Sequence, residues 1–257
     1  MNIDRVVVAT NNNPEYYQFW PIFAKRWLSW GVVPTLIAIS EDKLDFNEEI
    51  GEILYVYPVE GVSTAHQAQI VRLFAAASFE EDVCLISDID MLSLNEGYFF
   101  TPAENCDENE FIVYSADAYM PGNPAYPAYP MCYLCSKGSN FKAIIDGNLH
   151  NFGARVKEWL GYGFGWYTDE KVFYKKLKEW KNKNRKITLL RRGFNTSNDP
   201  MIMGRIDRGN NCIYNEGLLD GGFYIDFHMP RPYEKHKEII DEVFRRTVSE
   251  GNVNNTQ

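Results

Sequence analysis

Two carboxylates, Asp88 and Asp90, stand one residue apart directly after Val83, Cys84, Leu85 and Ile86, an apolar run that Ser87 closes. A short apolar run bounded by polar residues predicts a buried strand of a central sheet. Acids at the end of such a strand are costly unless a positive group meets them, because an unpaired buried charge is strongly disfavoured. In open α/β sheets the carboxyl ends of strands open onto the ligand crevice. A divalent cation held by oxygen ligands, itself gripping a diphosphate, would meet that cost. His228, one of four histidines, ends another β-like run just before Pro230, Arg231 and Pro232. A lone histidine is usually structural, but this position favours metal ligation.

Other residues with chemistry to offer each have a plain reading beside the functional one. Thr10, Asn11 and Asn12 follow the first β-branched run, where they either hold a nucleotide or form a turn and a helix cap. Arg72 lies in a helical stretch just before the acidic strand, and it reaches a nucleotide or sits on a solvated face. Asp169 and Glu170 follow Thr168, a predicted N-cap, and two acids in a first turn already suit the helix dipole. In the functional reading Asp169 is a general base, with Glu170 and Asp117 behind it. Asp117, Tyr119 and Trp166 flank or belong to aromatic-rich segments and are the expected acceptor contacts, because the C–H faces of a sugar ring pack on aromatic rings.

The elements that must position these residues can be read in order. Residues 5–10 predict a first strand, with Asn13 capping a helix that has Pro14 at its first position. Phe19, Phe23, Trp27 and Trp30 recur at helical spacing, Gly31 closes that helix, and Pro21 kinks it or marks its start. Residues 32–39 and 53–57 predict two more strands, and strand, helix, strand begins a parallel sheet. Thr64-x-x-Gln67 has the form of a capping box ahead of Ile70, Val71, Leu73, Phe74 and Ala77. An acidic, exposed loop is expected at 104–110, then a strand at 111–115 and an irregular proline- and tyrosine-rich loop at 121–130. Tyr133 and Leu134 resume the sheet, 141–145 is helical, and the helix from Asp169 buries Val172, Phe173, Leu177 and Trp180. Its lysines (Lys175, Lys176, Lys178, Lys181 and Lys183) read as a solvated face. A strand at 187–190 follows, then a polar stretch, the run ending at His228, and a charged amphipathic helix packed outside from Tyr233 to Val248. The last, Asn-rich residues are expected to be disordered. The chain reads as a single domain over 1–257, with a nucleotide-binding half at 1–115, an acceptor half at 116–232 and a C-terminal helix at 233–250.

Composition sets the limits. A chain of 257 residues can bury a full core, and its 16 Tyr, 16 Phe and 6 Trp make it rich in aromatics. A net charge of -9 argues against general nucleic-acid binding, which needs a basic footprint. No Gly-x-Gly-x-x-Gly or Walker A sequence follows the first strand, so phosphates must be held another way. No apolar run approaches the roughly 18 residues of a membrane span, and the N-terminus lacks a signal-peptide core, so a soluble, cytoplasmic protein is expected. Five cysteines do not form a disulfide framework, and Cys132 and Cys135 read as strand residues. The sequons at Asn195 and Asn254 read as accidental matches in a protein that is not secreted.

Together these pieces resemble a GT-A glycosyltransferase of the DxD type, over roughly residues 5–232. The resemblance implies an α/β fold, a Rossmann-like mixed sheet with flanking helices. It also implies a nucleotide-sugar donor, UDP-linked in the commonest case, and a carbohydrate or other hydroxyl acceptor. Asp88, Asp90 and His228 would hold Mn2+ or Mg2+, with Asp88 also on the donor ribose. Thr10, Asn11, Asn12, Arg72 and Arg231 would complete the donor site. One departure stands: some retaining members carry a glycine and then a lysine after this histidine, and His228-Met229-Pro230-Arg231 does not match that spacing. The lack of an anchor suggests one module of a larger glycan-building system. Two rivals remain at this stage: a HAD-like Mg2+-dependent phosphohydrolase, whose nucleophile also ends an apolar strand as Asp-x-Asp, and a GT-A-like domain that binds sugar without transferring it.

Overall fold

The first strand, β1 (Arg5–Asn11), is the hinge of the architecture. In the computed structural model, which describes residues 1–46, 48, 50–119, 126–181, 185–190 and 204–248, β1 pairs in parallel with strands on both sides. Its valines divide between two cores: Val6 and Val8 face one, and Val7 faces the other. A strand buried on both faces needs an unbroken β-branched run rather than alternation, and that is what the sequence supplies.

The chain continues through α1 (Pro14–Tyr17), α2 (Trp20–Ser29), β2 (Val33–Ile39), β3 (Glu52–Val56), α3 (Thr64–Ala76), β4 (Val83–Ser87) and β5 (Met91–Ser93). Next come α4 (Glu96–Glu104), β6 (Glu110–Val113), β7 (Tyr133–Lys137), α5 (Gly138–Ile145), α6 (Phe152–Leu160), α7 (Thr168–Lys181) and β8 (Lys186–Leu189). The last elements are β9 (Arg205–Asp207), α8 (Glu216–Asp220), β10 (Asp226–His228) and α9 (Tyr233–Val248). Among the described residues, seven strands form the main sheet in the order β3-β2-β1-β4-β7-β6-β8, in which β7 alone runs antiparallel to its neighbours. A second sheet, β5-β10-β9, has three short strands. The fold is therefore the expected α/β class, a mixed sheet flanked by helices. One face is covered by α3, α5, α6 and α7 through Phe74, Phe141, Trp159 and Phe173. The other is covered by α2 and the C-terminal α9 through Trp20, Phe23, Trp27, Ile240 and Val243.

Local chemistry explains most boundaries. Asn13 accepts from the Glu15 amide and caps α1, with Pro14 next to it. Pro21 sits in the first turn of α2, so it marks that helix's start, and Gly31 leaves the helix with φ of +76°. Cys135 is buried in β7, whereas Cys132, read as a strand residue, lies in the turn just before that strand; the five cysteines are unpaired.

Several expectations are corrected. Thr64 and Gln67 do not form a capping box: α3 is preceded by Ser63, which makes no side-chain cap bond. Gln67 is fully buried and instead bonds the Val59 amide at 2.8 Å and the Val59 and Val62 carbonyls at 3.1 and 2.9 Å, tying the β3–α3 loop shut. The acidic stretch after residue 104 ends inside the sheet, where Glu110 is buried and accepts from Lys186 at 2.6 Å. Thr168 lies within α7 rather than capping it, and its hydroxyl donates to the Gly165 carbonyl. Residues 121–125, Lys183, the Asn195 sequon and the Asn-rich tail with the Asn254 sequon lie outside the described residues.

Candidate active site

The cleft opens where β1 and β4 end at their carboxyl edge, and it encloses about 390 Å³. β4 stops at Ser87, and a turn carries Asp88 and Asp90 before β5 begins, with the Met91 amide donating to the Asp88 carbonyl at 3.1 Å. The apolar strand thus ends just before the two acids, which lie in the turn that carries the chain from the main sheet to the small one.

Register in the small sheet brings the remaining groups to Asp90. His228 of β10 lies opposite Met91 on one side and Asp207 on the other. His228 Nε2 stands 3.6 Å from Asp90 Oδ2, and its Nδ1 stands 3.6 Å from Asp207 Oδ2. One register position earlier but one, Asp226 lies opposite Arg205, and the guanidinium grips that fully buried carboxylate with two bonds of 2.7 and 2.8 Å. Arg208, just past β9, donates to Asp90 Oδ2 at 2.7 Å and to the Met229 carbonyl at 3.3 Å. Burial pushes the Asp90 carboxyl up, but His228 and Arg208 outweigh it and leave it below the usual carboxylate range.

Arg72 organises the opposite wall. It is buried in α3 and bonds the Asp88 carboxylate, the Ser87 carbonyl at 2.9 Å and the Gln69 carbonyl at 3.1 Å. Its Nη2 lies 3.5 Å from Asp169 Oδ2. Burial opposes the charge on Arg72, yet Asp88 and Asp169 more than offset it and hold the group above its ordinary value. Asp169 is only 3 % exposed; desolvation raises its pKa to about 6, with Arg72 pulling the other way. Its neighbour Glu170 is raised further, to about 7, by burial and by the charge of Asp169. Tyr119 donates its hydroxyl to Glu170 Oε1, and Oε2 is buried with no hydrogen-bond partner among the described residues.

The sequence-predicted residues fall into place unevenly. Thr10, Asn11, Arg72, Asp88, Asp90, Tyr119, Trp166, Asp169 and His228 all line the one cleft. Asn11 is committed locally: it donates to Thr64 Oγ1 at 3.1 Å and accepts from the Asn13 amide at 3.2 Å. Asn12 does not line the cleft. Successive side chains of an extended segment point to opposite sides, so Asn11 and Asn13 face inward and Asn12 is exposed. Asp117 is not among the lining residues either; it lies in a turn beyond β6. Arg231 lines a neighbouring cavity of about 530 Å³, because it stacks 4.5 Å from the Tyr16 ring and bonds the Tyr16 hydroxyl, while Tyr16 itself faces the cleft. Sequence reading missed Arg205, Asp207 and Arg208. Their only signal was a run of charges, Arg-Ile-Asp-Arg, in a stretch read as polar.

A metal ion can be tested against these donors. Among the described residues no group of three or more His, Cys, Asp or Glu side chains gathers as a ready site. The Asp90 and His228 side chains do face each other, and Asp207 stands behind the imidazole where a carboxylate orients a metal-binding histidine. Asp88 is drawn to Arg72 by Oδ1 yet is 38 % exposed. This carboxylate–imidazole pair, backed by a second carboxylate, fits an oxygen- and nitrogen-seeking divalent ion.

No protein-family model matches the chain, and no curated protein matches it. Solved structures do. A galactosyltransferase LgtC in complex with donor and acceptor sugar analogues aligns over 96 % of this chain and 95 % of its own, at 12 % identity and a TM-score of 0.49. The glycosyltransferase GlyE of Streptococcus pneumoniae aligns over 97 % of this chain and 63 % of its own, at 12 % identity and a TM-score of 0.45. Mouse xyloside xylosyltransferase 1 aligns over 89 % and 98 %, at 9 % identity and a TM-score of 0.40. Likeness at this level concerns the path of the chain and leaves the chemistry to the side chains of the site.

Proposed function

We propose that the chain is a GT-A glycosyltransferase that moves a sugar from a nucleotide-diphosphate donor, UDP-linked by preference, to a hydroxyl acceptor. The observation that carries this reading is the convergence of Asp88, Asp90 and His228 on one cleft with Arg72 and Arg208 and a pair of carboxylates of raised pKa. The acids and histidine come from the ends of β4 and β10, far apart in sequence, and the small sheet brings them together.

Asp90 and His228, with Asp88, would hold Mn2+ or Mg2+. When bound, the ion supplies Lewis-acid stabilisation of the charge that grows on the departing diphosphate. The chain's own residues do the rest. Thr10 and Asn11 at the end of β1 form the floor for the base and ribose. Arg72 holds Asp88 in place, and Asp169, locked to Arg72, serves as its anchor rather than as the base first expected. Glu170 takes over that role. It lines the cleft, one of its oxygens has no hydrogen-bond partner among the described residues, and a pKa of about 7 suits proton transfer near neutrality. In an inverting reaction Glu170 takes the acceptor proton; in a retaining one its charge faces the cationic sugar. Tyr119 orients it by a hydrogen bond, and Trp166, 56 % exposed at the rim, offers a ring face to the acceptor.

Release of nucleoside diphosphate from UDP- and GDP-sugars in the presence of Mn2+ tests this reading. Turnover that is lost in Asp90→Asn supports it. Phosphate release from a simple monoester without nucleotide-sugar turnover would support the hydrolase instead, and sugar binding with no turnover would support a lectin-like domain.

A further inference from the structure

Arg208 holds the same carboxylate oxygen that a metal ion at Asp90 would need. Its Nη1 lies 2.7 Å from Asp90 Oδ2, the oxygen that also faces His228 Nε2. The position is built rather than incidental. Asp207 caps the turn that begins at Arg208, accepting from the Gly209 amide at 2.6 Å, and its carbonyl accepts from the Cys212 amide at 3.1 Å. Two consecutive non-glycine residues, Asn211 and Cys212, are held left-handed at φ of +53° and +57° to reverse the chain there. Such conformations cost free energy and persist where the surroundings enforce them, often beside functional sites. The guanidinium has five N–H donors and the bonds to Asp90 and Met229 come from one nitrogen, so a planar fork faces the space shared by the cleft and the neighbouring cavity. That fork matches phosphate oxygens.

We infer that Arg208 is a phosphate-binding residue that shares Asp90 with the metal, so that a cation arriving at Asp90 releases the guanidinium to the donor's diphosphate. The inference rests on the glycosyltransferase reading above and adds to it a specific coupling. Without a cation, Arg208 neutralises Asp90 and is only partly free for the diphosphate. With a cation on Asp90, like-charge repulsion turns Arg208 outward, and metal and nucleotide then favour each other's binding. Such coupling is reciprocal by thermodynamic necessity.

The test measures Mn2+ binding without nucleotide, by electron paramagnetic resonance, and UDP binding in EDTA and in saturating Mn2+, by calorimetry, on the full chain. Arg208→Ala is expected to tighten Mn2+ roughly ten-fold, because a competing charge is gone, and to weaken UDP by a similar factor in Mn2+ and by less in EDTA. Arg208→Lys, which keeps the charge but loses the planar fork, should leave Mn2+ near wild type and still weaken UDP. Melting curves on all three proteins show that each is folded. Unchanged or weaker Mn2+ binding in Arg208→Ala would overturn the inference, as would a UDP affinity in Mn2+ equal to that of the wild type. If the wild-type chain binds UDP and Mn2+ while the variant follows it in both, the coupling fails and the enzyme reading stands. If the wild type binds neither, both fail together.

Discussion

At the scale of single residues, the site depends on buried acids held at unusual protonation. Glu170 has a folded-state pKa near 7, above the ordinary carboxylate value, so the folded chain holds its proton more tightly than the unfolded chain does. Stability contributed by that proton is complete at low pH and is lost as pH rises from about 4.5 to about 7. Glu170→Gln should therefore flatten the fall in stability over that window, and it should raise the melting temperature at pH 8, both read by calorimetry across pH. In an inverting reaction the same change should lower turnover by about 10²–10⁴-fold and remove the rise in rate near pH 7. Arg72 offers a second check. Arg72→Ala strands the buried Asp169 and should cost about 3–5 kcal/mol in chemical denaturation, whereas Arg72→Met with Asp169→Leu should recover much of it. Asp88 and Asp90 were legible from sequence, since two acids after an apolar run demand a partner. Glu170 was ranked behind Asp169 because residue type cannot tell which of two adjacent helix-start acids in one cleft meets an arginine and which meets a tyrosine hydroxyl.

At the scale of elements, most strands and helices were readable, and the two three-residue strands β5 and β9 were not. β1, β2 and β4 are runs of β-branched or apolar residues buried on both faces, and α7 buries the four residues its spacing predicted. β5 and β9 have three residues each, too few for any periodicity, yet with β10, the run that ends at His228, they bring His228 and Asp207 beside Asp90. Pairing between distant segments made them strands, so Arg205, Asp207 and Arg208 stayed invisible. Gly204 shows how tightly that small sheet is set. It enters β9 at φ of +79°, and a Cβ there would lie 2.7 Å from the Phe223 carbonyl oxygen and 2.9 Å from the Ile225 amide. Gly204→Ala should cost about 1–3 kcal/mol by strain and crowding. By shifting Arg205 and Arg208 it should also weaken nucleotide binding more than its effect on melting would explain, a split that calorimetric titration against melting curves can read.

At the scale of the molecule, a chain of net charge -9 concentrates three arginines, Arg72, Arg205 and Arg208, in one cleft. Each is matched to a carboxylate, so the cleft is a charge-balanced network rather than a basic patch. The ligand proposed above, a small phosphorylated molecule that brings its own cation, would meet that network without a basic patch. Among the described residues no helix is long and apolar enough to cross a membrane. The central claim is that this cleft is a metal-assisted diphosphate site, and thermal shift with nucleoside diphosphates, with and without Mn2+, tests it most directly. UDP or GDP at a hundred-fold excess over its Kd should raise the melting temperature by roughly 5–10 °C with Mn2+ present. The shift should be much smaller in EDTA, and its Mn2+-dependent part should be absent in Asp90→Ala. No metal-dependent shift with any nucleoside diphosphate, from a wild-type protein that melts cooperatively, would contradict it.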